Sequence, residues 1–184
     1  MDIFCNLTFL YRKIRSKALD KDNNTMIKND IKIELLINCQ EHIPALAKLW
    51  FEEIDKHWIP NSSIQQTENN IFETVNTDKM PVTFVALYQD FPVGMAMLRE
   101  HHTFLAKLKP RLRGLVVHPD YRKNNIGQML INATKISAKK FGFNNLYLLT
   151  FDPTLPSWYE TLGWKIIGFD QLFNHKITIM SVDL

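Results

Sequence analysis

A chain of 184 residues, 46% hydrophobic, is long enough to bury a core and has the length of one domain. Its 22 basic and 19 acidic side chains leave +3, too weak a balance to point to nucleic acid. Two cysteines, Cys5 and Cys39, argue against a disulfide framework, and no apolar run approaches a membrane span. The expectation is a cytoplasmic protein with reduced thiols, no membrane span and no nucleic-acid partner.

Residues 1–25 read as an N-terminal extension, and 26–184 as a single domain. The charges at the start follow the apolar part instead of preceding it, unlike a signal peptide. Phe4, Leu7, Leu10 and Ile14 share one helical face, so the extension is either a surface-seeking helix or a packed or partly disordered arm. Asp20 to Asn24 is a polar linker, and Met26 is a natural start for the domain.

Ile31 to Ile37 is β-branched-rich and reads as a strand. Pro44 suits a first helical turn. Leu46, Leu49, Trp50, Ile54 and Trp58 then recur at helical spacing. Ile64 to Val75 predicts a second helix with Ile64, Ile71, Phe72 and Val75 inward. Thr83–Tyr88 and Pro92–Leu98 flank Gln89-Asp90 as a hairpin without glycine. Arg99 to Pro110 is a polar, basic loop.

The stretch from Arg113 to Gln128 organises the rest of the chain. Leu115, Val116 and Val117 read as a buried strand, which Pro119 ends because it lacks the amide a ladder needs. Arg122-Lys123-Asn124-Asn125-Ile126-Gly127 is a tight basic turn. A helix comes next, expected to bury Ile126, Met129, Leu130, Ala133 and Ile136 and to stop at Gly142. Strand, turn and helix together aim free N–H groups and a positive helix end at a phosphate. Asn145 to Phe151 is the next strand, Pro156 to Leu162 a short helix closed by Gly163, and Trp164–Phe169 and Lys176–Ser181 the last strands. The strand–helix–strand unit implies a parallel crossover, and the flanking hairpins are antiparallel. The fold class is α/β: a mixed, mostly antiparallel sheet of about seven strands with a central parallel pair and helices on both faces. His101-His102 is an adjacent pair whose members point to opposite faces of a strand, and nothing else has ligand spacing, so no metal is expected.

These segments resemble the GNAT superfamily of acyl-CoA-dependent N-acetyltransferases. Arg122 to Gly127 stands where the family has Arg/Gln-x-x-Gly-x-Gly/Ala after a V-x-V strand. Leu146 to Trp164 (LYLLTFDPTLPSWYETLGW) is similar to its second motif, an aromatic-Tyr pair with a Leu-Gly-aromatic ending. Asn125 departs from the first motif glycine. Asn is the next best residue for a positive φ.

The resemblance implies direct acetyl transfer from acetyl-CoA to a primary amine, with the central strand pair splayed to hold the cofactor. Amides of Arg122, Lys123, Asn124, Asn125, Ile126, Gly127 and Gln128 would take the pyrophosphate. Lys107, Lys109 and Arg111 would either reach the ribose phosphate or form a solvated face. Leu115, Val116 and Val117 would pair with the pantetheine amides, and an N–H near Val116 or Val117 would face the thioester oxygen. Asp152 stands where relatives carry a cofactor-contacting Asn. Tyr159 would protonate the leaving thiolate, or only pack on the cofactor and hydrogen-bond its sulfur. An alkylamine is only about one part in a thousand neutral at pH 7, so a base is needed. Glu100, His101, His102 and His118 are the candidates. The expected acceptor is a small molecule. A protein or peptide acetyltransferase and a catalytically weak acyl-CoA-binding module are the alternatives, and a homodimer is a further expectation.

Overall fold

The computed structural model describes residues 30–100 and 107–184. The extension at 1–25 and the His101-His102 pair lie outside the described residues.

Among the described residues, seven strands form one sheet: β1 (Ile31–Leu35), β2 (Val82–Tyr88), β3 (Phe91–Arg99), β4 (Arg111–Val117), β5 (Asn145–Thr150), β6 (Lys165–Leu172) and β7 (His175–Asp183). Their spatial order is β1-β2-β3-β4-β5-β7-β6. Every pairing is antiparallel except β4 with β5. The first strand is shorter than the sequence predicts, because a 3-10 turn takes Leu36–Asn38. The β2–β3 turn closes without glycine: Gln89 (φ 49°) and Asp90 (φ 61°) both adopt the left-handed conformation of a type I′ turn.

The principal helices that flank the sheet are α1 (Ile43–Trp50), α2 (Ile64–Phe72), α3 (Ile126–Lys140) and α4 (Leu155–Thr161). Helix α1 runs on through a π-helical turn at Phe51–Asp55 and a last turn at Lys56–Trp58. Two cores result. One, around Ile126, Leu130, Ile131 and Trp164, lies on the α3 face. The other, around Leu46, Trp50, Ile71, Met95 and Met97, lies on the α1 face.

Two helical faces differ from the periodicity reading. In α2 only Ile71 of the expected set is fully buried; Ile64 and Phe72 are exposed, and Val75 is partly buried. Thr67 and Thr74 point inward instead. Their hydroxyls find buried partners: Thr67 donates to Asp55 at 2.7 Å, and Thr74 pairs with Thr83 at 2.7 Å. In α3, Ile136 is exposed, while Ile131, Thr134 and Ala138 join Ile126 and Leu130 inside. Thr134 can be buried because its hydroxyl donates to the Leu130 carbonyl at 2.9 Å.

The feature that positions the site is the β4–β5 pair. The strands meet only at Arg111↔Tyr147 and Leu112↔Leu148. Beyond Leu112 they diverge, so among the described residues β4 from Arg113 to Val117 has no strand partner on its β5 side. On its other side β4 carries a bulge. Met95 pairs with Val116 and Met97 with Arg113, so Gly114 and Leu115 together oppose Ala96. Gly114 takes φ +61°, and a side chain there would press on the Trp50 ring, 3.1 Å away.

Candidate active site

The gap between β4 and β5 opens into a cavity of about 690 Å³, within the size range of small-molecule sites. It passes from one face of the sheet to the other. The α3 face contributes Gly127, Gln128, Trp158 and Tyr159, and the α1 face contributes Trp50, Asp55 and Trp58.

At the α3 end, the Pro119–Tyr121 3-10 turn carries the chain off β4. Lys123 (φ 66°) and Asn125 (φ 61°) are both left-handed. Asn125 is the N-cap of α3, with φ 61° and ψ 10°. The departure from the motif glycine is thus absorbed by the one ordinary residue class that tolerates this conformation. Lys123 has the same conformation without that advantage, a cost the sequence does not announce. Asn124 holds the turn from inside: its side-chain amide donates to the Tyr121 carbonyl at 3.1 Å and to the Arg122 carbonyl at 3.2 Å. Gly127 faces the cavity edge, where an added Cβ would lie 3.2 Å from the Trp158 ring. Trp158 is therefore a wall of this cleft, 37% exposed. Arg122 is already engaged. Its Nε donates to the Val117 carbonyl at 3.0 Å, and its guanidinium is ion-paired with Glu53.

Along β4, the His118 amide donates to the Val93 carbonyl on β3 at 2.8 Å. Strand alternation then turns the Val117 N–H away from β3, toward the gap. Val116 turns toward β3 and packs in the α1-side core. Of the two amides the sequence nominates, the geometry favours Val117.

Tyr159 lines the cavity and is only 6% exposed, packed against Trp158 (4.9 Å between centroids) and Trp164 (5.8 Å). Burial raises its phenol pKa well above the ordinary value, so the hydroxyl stays protonated at any working pH. Asp152 also lines the cavity. Its carboxylate accepts from the Thr154 amide (2.8 Å) and hydroxyl (2.7 Å), fixing the turn into α4.

Two predicted bases lie elsewhere. Glu100 directly follows β3, is ion-paired with Lys109 at 2.9 Å, and is not among the cavity residues. His118 is also outside the lining. Its Nδ1 accepts from the Asp120 amide at 3.3 Å, its ring packs on Tyr121, and burial lowers its pKa. Arg111 sits at the start of β4, six residues of strand or roughly 20 Å from the phosphate turn. It therefore faces the far end of the cavity from any ribose phosphate.

Sequence reasoning passed over Asp55. It lines the cavity, is 7% exposed, and accepts the Thr67 hydrogen bond. Burial pushes its carboxyl pKa up, against the Thr67 hydrogen bond and the Arg113 charge. A 3.6-residue pattern does not place it inside; the π-turn at Phe51–Asp55 adds a residue and rotates it in. Among the described residues, no group of three or more His, Cys, Asp or Glu is arranged to hold a metal, and no helix is long and apolar enough to cross a membrane.

The sequence profile of the acetyltransferase (GNAT) family matches residues 44–164. The chain belongs to this family. Its order of elements and its mixed seven-stranded sheet are those of solved relatives. An aminoglycoside 6'-N-acetyltransferase complexed with coenzyme A superposes with a TM-score of 0.66 at 20% identity, over 83% of this chain and 96% of that one. A putative streptothricin acetyltransferase from Bacillus anthracis str. Ames, in complex with acetyl coenzyme A, gives 0.53 at 21% identity, over 61% and 67%. Among curated proteins, an amino-acid acetyltransferase of Mannheimia succiniciproducens is 23% identical over 83% of this chain and 31% of its own length. One from Vibrio vulnificus (strain CMCP6) is 34% identical over 32% of this chain and 13% of its own. The chain thus spans less than a third of the length of these curated relatives.

Proposed function

We propose that this protein transfers an acetyl group from acetyl-CoA directly to the primary amine of a small molecule. The observation that carries the reading is the splayed β4–β5 pair, which opens one cavity from the phosphate-type turn at one face to an acidic and basic pocket at the other. Solved neighbours that hold coenzyme A or acetyl coenzyme A share this fold, which supports the same cosubstrate here.

In this reading the amides from Arg122 to Gln128 and the positive end of α3 hold the pyrophosphate. The pantetheine arm lies along Leu115 to Val117 in place of the missing β5 partner. The Val117 N–H is free to face either a pantetheine amide or the thioester oxygen, where negative charge builds. Asp152 accepts a cofactor amide. Asp55 takes the proton from the attacking amine: it lies in the cavity, and burial raises its pKa, which makes it a better proton acceptor than an ordinary carboxylate. Glu100 and His118 are not among the cavity residues and are given no part in this step. The neutral amine attacks the thioester carbon, and the carbon–sulfur bond breaks. The departing thiolate receives a hydrogen bond from the Tyr159 hydroxyl and takes its proton from solvent as coenzyme A leaves. Because burial makes the phenol a weaker acid than usual, its chief work is donating that hydrogen bond.

Thiol release from acetyl-CoA, followed with a panel of small amines and with a lysine-containing peptide, tests the reading. Release only with small amines supports it. Peptide-only release favours a protein acetyltransferase, and tight CoA binding without any release favours a binding module.

A further inference from the structure

The far end of the cavity holds a concentration of positive charge away from the turn proposed to hold the pyrophosphate. Arg111 lines the cavity, is only 5% exposed, and its Nη1 is buried without a hydrogen-bond partner among the described residues. Arg113, two residues along β4, also lines it and lies over the Trp50 ring at 5.6 Å. Arg99 is the cross-strand partner of Arg111 in the β3–β4 ladder, so its side chain leaves the sheet on the same face. Among the described residues no carboxylate is paired with Arg111; its charged neighbours are Arg113 and Arg99, and burial with their repulsion brings its pKa down to about 10. The acid that offsets Arg113 is Asp55.

A buried guanidinium whose Nη1 has no partner costs stability unless something anionic meets it. A guanidinium fork fits a planar carboxylate with two parallel hydrogen bonds. Asp55, on the same side of the cavity, is the complementary group for an ammonium.

We propose that the acceptor is an amino carboxylate, a small amine carrying a free carboxylate such as an amino acid, with Arg111 and Arg113 holding the carboxylate while Asp55 faces the amine. The proposal rests on the acetyl-transfer reading above. The same arginines disfavour polycationic acceptors such as aminoglycosides and polyamines, although aminoglycoside acetyltransferases share the fold. Their charge also lowers the pKa of the bound amine and raises its neutral fraction.

The test is thiol release from acetyl-CoA with a panel of L-amino acids, each beside its carboxamide and its decarboxylated amine, and with kanamycin and spermidine. Free acids should exceed their carboxamides by about 10- to 100-fold in kcat/KM, the range of a charge-assisted hydrogen bond. Arg111→Gln should bring that ratio close to one while leaving CoA affinity, read by calorimetry, unchanged; Arg111→Lys should restore part of it. If Arg111→Gln does not fold, Arg113→Gln and the wild-type acid-to-amide ratio serve instead. Carboxamides or polycations turned over as well as the acids would overturn the proposal and leave acetyl transfer standing. If no amine is acetylated, amino acids are titrated into the CoA-loaded protein. Binding of the acids but not the amides, lost in Arg111→Gln, would keep the carboxylate site and sink the transfer reading. Binding of neither would overturn the proposal.

Discussion

Tyr159→Phe removes one oxygen from a side chain whose ring is almost entirely enclosed. The ring contacts with Trp158 and Trp164, at 4.9 and 5.8 Å, do not depend on that oxygen, so the fold and the cavity wall should persist. What disappears is the hydroxyl that the proposed mechanism turns toward the departing sulfur. A positioned general acid contributes about 10²–10⁴-fold, and a hydrogen-bond donor to a thiolate somewhat less. A fall in kcat of about 10- to 1000-fold is expected, or roughly 1.4–4 kcal/mol of transition-state stabilisation. Because burial holds the phenol protonated, the wild-type rate should show no loss from phenol ionisation up to about pH 9, above which an unperturbed Tyr would begin to titrate. The assay is steady-state thiol release across pH with the best acceptor, with CoA affinity measured alongside. A variant within twofold of wild type in kcat would refute the donor role, and lost CoA affinity would show that the residue is a wall instead.

Gly127→Asp should abolish CoA binding by calorimetry, since its Cβ already meets Trp158 at 3.2 Å and the carboxylate would face phosphate. Glu53→Gln should tighten CoA by up to about 5-fold, as in a modest exposed ion pair, because it frees Arg122 from its present partner. Asp55→Asn should cut kcat at pH 7 without lowering Tm there. The raised folded-state pKa means that the Asp55 contribution to stability is fully present below its unfolded pKa and is lost as pH rises through the folded value. Wild type should therefore gain on the variant as pH falls from 7 toward 4, and a gap that moves the other way in thermal scans would contradict the assignment. Asn125→Gly should keep CoA affinity and stabilise by up to about 1 kcal/mol in chemical denaturation, because φ 61° costs Gly nothing.

The cofactor half of the site could be read from the sequence because backbone chemistry writes local signals. The β4 run, the strand-ending Pro119, the Asn125 that accepts a left-handed φ, and Gly127 all lie within one short segment. The Tyr159 helix carries its own Pro and Gly punctuation. The acceptor half could not be read in the same way. Asp55 is brought inward by a π-turn, which no regular period announces. Arg111 and Arg113 look like the end of a basic loop until the register sets them on one face of β4, beside Arg99. Thr67 and Thr74 look like surface positions until their partners on other elements appear. Phe72, which apolar periodicity places inside, is exposed, while Thr67 on α2 and Thr74 just past its end point inward. Long-range partnership, not composition, decides these positions.

The most direct test of the central claim is a crystal structure with coenzyme A bound. Pyrophosphate oxygens should lie against the backbone amides between Arg122 and Gln128, and the pantetheine arm in the gap beside Leu115 to Val117. The thiol should sit near Tyr159, with Arg111, Arg113 and Asp55 left clear of the cofactor at the other end. Coenzyme A bound across the arginines, or outside the β4–β5 gap, would contradict the claim.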